Sequence, residues 1–388
     1  MFTLILGDLA KGVSSSSVSD YVSDRLNHVL AVSVFCIFAI IVGLEQYVGD
    51  PIHCWCPAEF TDSHCNYTEA YCWVQDTYYI PQDEVVPWEK AERYEEEIKY
   101  YQWVPIILLF LAACFKIPNL IWCMLNSVTG VNIEKAINAA EDSIIAVSQE
   151  RKDKIGFIAS YLDRWLLLSK KTKYGTVYKL FETLSSFMCF CFGPKTCSYI
   201  TGLYIFIKFV YFGVSISLLF LLNHMLAMDY LFYGWEVIHN LSQGEELAES
   251  PRFPRITMCD FQIRQLQNIQ TYSVQCVLSV NLFNEKIFIF IWFLLVALCT
   301  CNAFSWFCAL KDFAIPRSRM SWLKTKLKTL QTKRSSQTHP PTLQEKFAQH
   351  LGCDGVFVLR TIEDNTSEMV VCELLNELRR LFCDRVTV

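Results

Sequence analysis

No catalytic constellation appears in these 388 residues. There is no glycine-rich phosphate loop, no zinc-protease motif and no nucleophile elbow, so the chemistries those motifs position are not expected. The seven histidines are scattered and the 14 glycines do not cluster. We therefore expect no enzyme activity, no cofactor, no metal and no nucleic-acid partner. Charge is scarce as well in four long stretches, with at most one charged residue in each, so they lack the charged face that soluble core helices of such length carry.

What is present is apolar surface. Hydrophobic residues make up 53% of the chain and aromatics 14%, with a mean hydropathy of +0.26, too apolar for ordinary soluble domains. The four stretches, at 29–48, 103–125, 200–226 and 287–310, each approach or exceed the ~20 residues that cross a bilayer. The first begins too deep in the chain, and lacks a small-residue cleavage site, to read as a removable leader. Four spans put both termini on one side. The loop of 49–101 holds 3 Lys+Arg against 12 Asp+Glu, and 229–286 holds 4 against 7. The segment 127–199 holds 10 basic residues and 311–388 holds 13. Basic segments stay cytoplasmic. The expected order is a cytosolic 1–28, an outside loop at 49–102, a cytosolic loop at 126–199, an outside loop at 227–286 and a cytosolic tail at 311–388.

Under this topology the 18 cysteines divide evenly. Six lie in the spans and six in the cytosol; the six outside are Cys54, Cys56, Cys65, Cys72, Cys259 and Cys276. An even set in an oxidising compartment reads as a disulfide framework whose pairing the count leaves open. A metal reading of His53, Cys54, Cys56, His64 and Cys65 fits no common zinc spacing. Asn66-Tyr67-Thr68 and Asn240-Leu241-Ser242 are outside glycosylation acceptors, whereas Asn365-Thr366-Ser367 is cytosolic and expected to be inert.

Tyr100-Tyr101-Gln102-Trp103-Val104-Pro105 leads into the second span. Aromatic rings with polar edges settle at headgroup depth, and Pro105 is expected to bend the span just inside that surface, making the hexapeptide a hinge. As a string, YYQWVP resembles the signature of the innexins, invertebrate gap-junction channel proteins. The stretch 49–55 (GDPIHCW), the stretch 253–261 (FPRITMCDF) and 281–288 (NLFNEKIF) are similarly innexin-like. The likeness runs from about Asp20 to Leu310, with Gly355 to Arg360 a weaker match in the tail.

The resemblance implies one bridge from Cys54 to Cys276 and another from Cys72 to Cys259. Cys56 and Cys65 depart from the family's two cysteines per loop, and either form a third, local bridge or stay free and reactive. It also implies that the amino-terminal segment and the first span line a pore. Candidates there are Asp20, Asp24, Ser33, Cys36 and Glu45. Ser33, Cys36, Ala39 or Ile40, and Gly43 form a small-residue stripe suited to close packing or to water. Glu45 is placed to favour cations at an outer pore mouth. Lys116 and Lys208, in the second and third spans, are expected to snorkel to the inner surface.

The cytosolic segments read as packed amphipathic helices. Ile155, Ile158, Ala159, Leu162, Trp165 and Leu166 fall at helix spacing, as do Val371, Leu374, Leu375, Leu378 and Leu381. Cys189, Cys191 and Cys197 are juxtamembrane thiols, available for palmitoylation or unmodified. Arg317 to Arg334 carries seven basic residues and Trp322, which fits contact with inner-leaflet lipid or the positive-inside bias. Ser335 to Pro341 reads as a flexible linker.

The expected fold is thus a mostly α membrane protein with four transmembrane helices, a helical cytosolic domain and a small disulfide-stapled extracellular domain with some β structure. The innexin resemblance implies homo- or hetero-oligomers, octameric rings that dock with a hemichannel on the adjacent cell at a plasma-membrane gap junction. Such rings pass ions and small metabolites, gated by the amino-terminal segment and cytosolic helices under calcium, pH or voltage. An undocked hemichannel is the alternative favoured by the sequons, and a four-span adhesion scaffold without a pore is the second.

Overall fold

The structure, a computed structural model, describes residues 21–81, 86–89, 93, 97–127, 129–145, 147–171, 199–226, 229–244, 253–333 and 341–386. The expectations for Asp20, for Cys189, Cys191 and Cys197 and for the linker at 335–340 fall outside the described residues.

The first half of the chain forms α1 (Val22–Tyr47), β1 (His53–Cys54), α2 (Asp62–Gln75), β2 (Thr77–Tyr78), β3 (Glu97–Ile98), α3 (Tyr101–Ser127), α4 (Ile133–Ile145) and α5 (Ser148–Lys171). The second half forms α6 (Tyr199–Met225), α7 (Tyr233–Ser242), β4 (Ile256–Gln265), β5 (Asn268–Val277) and α8 (Ser279–Ala314). It ends with α9 (Pro316–Lys333), α10 (Pro341–Asn365) and α11 (Glu368–Val386). The protein is mostly helical. Helices α1, α3, α6 and α8 are long and apolar enough to cross a membrane, and only 33–39% of their most apolar windows is buried in the fold. The remaining faces suit lipid, which solvates apolar side chains as well as a protein core does.

These helices overrun the apolar stretches. α1 already begins at Val22 and α8 at Ser279, because the polar residues of their first turns find partners inside the protein. Asn281, Asn284 and Glu285 of α8 are buried; Asn281 Nδ2 donates to the Pro254 carbonyl at 2.8 Å, and Glu285 pairs with Arg255 at 2.9 Å. Helix α1 contains a π-turn at Leu26–Ala31, and α8 ends in another at Leu310–Ala314.

The chain divides into two compact units, and each long helix contributes residues to both. The first unit comprises 1–29, 116–212 and 300–388. Its core is built by α4, α5, α9, α10 and α11, whose apolar stripes meet: Ile158, Leu162, Trp165, Leu351, Phe357, Leu374 and Leu378 are all buried. Asn132 caps α4 by accepting the Lys135 N–H at 2.9 Å. Helix α10 is broken at Gly352, whose φ of +64° an L side chain would resist.

The second unit comprises 30–115 and 213–299. It carries a five-stranded antiparallel sheet ordered β1-β5-β4-β2-β3. β4 and β5 are the long pair, joined in register from Ile256↔Val277 to Gln265↔Asn268 by a tight turn at Leu266 and Gln267. Along β5 alternate residues turn inward, so Val274 and Cys276 are buried beneath Phe261, Tyr101 and Leu278.

Candidate functional site

Two groups of residues concentrate the chemistry, one in each unit. In the sheet-bearing unit, Cys54 of β1 faces Cys276 of β5 in register, and the two are bonded across a Cα separation of 4.0 Å. Cys72 of α2 is bonded to Cys259 of β4 with Cα atoms 5.8 Å apart, and Cys56 to Cys65 at 5.9 Å. The sulfurs of Cys54, Cys72 and Cys276 gather within 4.8 Å, but all three are spent in bridges and offer no thiolate to a metal. Because β1, β2 and β3 come from one loop and β4 and β5 from the other, the β1–β5 and β2–β4 pairings join both loops in one five-stranded sheet.

Asp260 of β4 is the polar hub of this sheet. Its carboxylate accepts hydrogen bonds from Tyr78 Oη at 3.1 Å, from Arg93 Nη1 at 2.7 Å and from Ser273 Oγ. Burial, reinforced by the neighbouring Asp260 charge, pushes the Tyr78 phenol up to about 12. Arg93 also donates to the Pro87 carbonyl, so one guanidinium links Pro87 to the Asp260 carboxylate of the sheet.

The hexapeptide 100–105 is clamped beneath this assembly. Tyr101 is fully buried, with its ring 5.0 Å from that of Trp73. Gln102 Nε2 donates to the Trp73 carbonyl and, at 3.2 Å, to Asp76 Oδ1. Gln46 of α1, buried within an otherwise apolar helix, donates to the Tyr101 carbonyl at 2.7 Å. Tyr100 stacks edge-on against Phe253 at 5.6 Å, while Trp103 remains exposed.

Pro105 does not bend the helix. A 3₁₀ turn at Tyr101–Trp103 leads into α-helix at Val104, so Pro105 stands in the first turn, where its missing N–H costs nothing. The interior proline is Pro118, which leaves the Cys114 carbonyl without its i+4 donor. The bend expected at Pro105 is therefore absent, and the hexapeptide is held by Gln46, Trp73 and Asp76.

In the helical unit the head of α1 is held by a buried polar network. Lys208 Nζ lies 2.7 Å from Asp24 Oδ1 and also donates to Ser23 Oγ. It sits over the rings of Tyr204 at 5.1 Å and Tyr21 at 5.7 Å, within cation–π range. Asn27 and Asn302 exchange side-chain hydrogen bonds at 2.6 and 2.9 Å, and Ser23 meets Ser305 at 2.9 Å. Lys208 thus does not snorkel: only 3% of its side chain is exposed. Asp24, whose charge it neutralises, is correspondingly removed from the pore-facing set.

The other candidates remain partly accessible. Ser33, Cys36 and Glu45 are half-buried, and the Glu45 carboxylate lies beside Gly49. Asn66 is exposed on α2, although the sequon's Thr68 is buried and donates to the His64 carbonyl at 2.9 Å. Asn240 is half-buried on α7.

Sequence reasoning overlooked Gln46, Arg93 and the Lys208–Asp24 pair. Gln46 did carry a signal, since a polar side chain in an apolar run calls for a partner. It overlooked Asp354 too, a wholly buried carboxylate that accepts from the Thr201 N–H at 3.0 Å and Thr201 Oγ1 at 2.8 Å at the start of α6. Burial raises Asp354 to about 6, with the hydrogen bonds from Thr201 opposing the shift.

Comparison with known proteins bears directly on this arrangement. The family profile described as Innexin matches residues 20–382. Innexin unc-9 of Caenorhabditis elegans is 34% identical over 370 residues, spanning 95% of this chain and 93% of that protein. Innexin-3 of the same organism is 33% identical over 356 residues, with coverages of 92% and 82%. Innexin eat-5 is 31% identical over 381 residues, with coverages of 95% and 88%. With four apolar helices, a bridged sheet and a match over nearly its whole length, this chain belongs to the innexin family, multi-pass membrane proteins of gap-junction channels.

Proposed function

We propose that this chain is a subunit of an octameric ring around a wet pore, and that rings on apposed cells dock to pass ions and small metabolites. The observation that carries docking is the bridged sheet: strands from both loops, tied by Cys54–Cys276 and Cys72–Cys259, make one rigid surface. The same bridges support an outside location for both loops, since disulfides persist in oxidising compartments. Both termini are then cytosolic, in line with the basic content of 127–199 and 311–388. Conduction is diffusion. The amino-terminal segment and α1 line the path, with Ser33, Cys36 and Glu45 as facing residues, and Glu45 lends a negative field at the outer mouth.

Paired-cell recording tests this reading. Junctional conductance is expected between expressing cells, and its loss in Cys54→Ser or Cys276→Ser; normal coupling in either variant removes the bridges from docking. Glu45→Gln is expected to weaken cation preference, and an unchanged reversal potential puts Glu45 off the pore.

A second reading, an undocked hemichannel releasing small solutes, is favoured by the exposed Asn66 side chain, where a glycan would stand in the way of an opposing ring. Current in single cells without junctional conductance supports it. No gel shift on enzymatic removal of N-glycans takes its main argument away.

A further inference from the structure

Helix α7 and the turn before it expose four large apolar side chains: Phe232 (72%), Trp235 (67%), Ile238 (44%) and Leu241 (68%). The opposite side of this segment is fixed on α8. Gly234 comes so close to the Trp292 ring that an added Cβ would overlap it. Trp292 Nε1 donates to the Leu231 carbonyl at 3.1 Å, and Tyr230 Oη donates to the Phe288 carbonyl at 2.8 Å.

The depth of those anchors is what matters. Phe288 and Trp292 are the second and sixth residues of the charge-free run 287–310, roughly 3–9 Å beyond Lys286 along the helix. An element bolted there lies at the level where headgroups give way to acyl chains, not out in the aqueous loop. Amphipathic helices that bind membranes from one side bury their apolar face about 5–10 Å into that boundary.

The faces of α7 agree with this depth. At 3.6 residues per turn it has three sectors. Tyr233, Gly234 and the half-buried Val237 turn toward the protein. Trp235 and Ile238 form an apolar sector, joined at the end of the helix by the exposed Leu241, and Glu236, His239 and Asn240 form a polar one. A contact with another subunit would want one apolar patch, whereas a leaflet surface wants apolar and polar sides at once. The apolar sector also continues along the span, since Phe290 and Phe293 of α8 are exposed (49% and 39%) and the Phe293 ring lies 5.1 Å from Trp292.

We propose that α7 is an interfacial helix whose Trp235, Ile238 and Leu241 are covered by phospholipid. The inference rests on α8 crossing the membrane. It carries a consequence for the sequon on this helix. Asn240 is held at the headgroup surface and not in an extended, water-exposed loop, so it stays unmodified even though Asn66 is open.

Photo-crosslinking tests it on the full-length channel in nanodiscs that contain a phosphatidylcholine with a diazirine high on one acyl chain. Mass spectrometry should find label on the 233–242 segment at a yield comparable with that on the spans. Trp235→Gln combined with Ile238→Gln should lower the α7 yield several-fold and leave the spans unchanged. Label on the spans with none on α7, or α7 crosslinked to a neighbouring subunit, overturns the inference while the membrane reading stands. Spans without label would sink that reading itself. In an Asn66→Gln background, N-glycan removal is expected to cause no gel shift, and a shift that Asn240→Gln abolishes also overturns the proposal.

Discussion

Lys208 and Asp24 are 2.7 Å apart with the lysine side chain 3% exposed, so neither charge has much water to fall back on. Removing one partner of a buried pair costs about 3–5 kcal/mol, because the remaining charge is stranded. Lys208→Met is therefore expected to lower the melting temperature of the purified channel strongly. Adding Asp24→Asn should recover much of the loss, which a double-mutant cycle would read directly. Asp354 gives a second prediction at this scale, with a definite sign. Its pKa in the fold is about 6 against an ordinary 3.8. Its contribution to stability is thus fully present below pH 3.8 and is lost as pH rises through about 6. A shift of that size corresponds to roughly 3 kcal/mol. Asp354→Asn, which keeps an acceptor for Thr201, should melt higher than the parent at pH 7.5 and converge with it near pH 4. Equal differences at both pH values would remove the role. Neither residue was legible as a partner in the sequence: 184 positions separate Lys208 from Asp24, and 153 separate Asp354 from Thr201. Local spacing shows that a lysine sits in an apolar run, but not which distant carboxylate folding brings to it.

Among the elements, α3 and α7 show how backbone chemistry sets what a helix can do. Pro118→Ala would restore a hydrogen bond to the Cys114 carbonyl within α3, whereas Pro105→Ala sits in a first turn that needs no donor. Channel gating is expected to change with the former and to stay as it is with the latter. The reverse outcome would return the hinge to the hexapeptide. Gly234→Ala should separate α7 from α8, since the new methyl group meets the Trp292 ring. Overpacking of that kind costs about 1–3 kcal/mol, read as a lower melting temperature that Trp292→Leu partly restores. Long helices were the most legible elements because a bilayer reads composition over some 20 residues, and apolar content survives any error of a turn at either end. The tail stripe at Leu374, Leu375 and Leu378 was legible for a similar reason, as its period repeats over several turns. β2 and β3 were not. Two residues each, Thr77–Tyr78 and Glu97–Ile98, are too few to show a period of two; β2 forms where β4 receives it, and β3 where β2 does.

For the molecule as a whole, the decisive feature is a sheet that belongs to two loops. Cys54 and Cys276 are 222 residues apart in the chain, and Cys72 and Cys259 are 187 apart. The sequence carried the cysteines and, through the loop charges, an expectation of the side of the membrane they occupy; their pairing came from the innexin likeness, because six thiols alone leave 15 connectivities open. That separation has a consequence in time. During synthesis the first loop is complete long before β4 and β5 exist. At roughly 5–20 residues per second, its thiols wait some 10–45 s for their partners. Throughout that interval Cys54 and Cys72 are exposed beside Cys56 and Cys65, and Cys56–Cys65, only 9 residues apart, is the pair that can close at once. Early closure of that bridge would take two competitors out of the pool. A pulse-chase under non-reducing conditions should then show a fast, short-range species maturing into the long-range form, and Cys56→Ser should fill the interval with scrambled, retained chains. On this view the third bridge is a chaperone built into the nascent chain, whose work is finished before the channel opens.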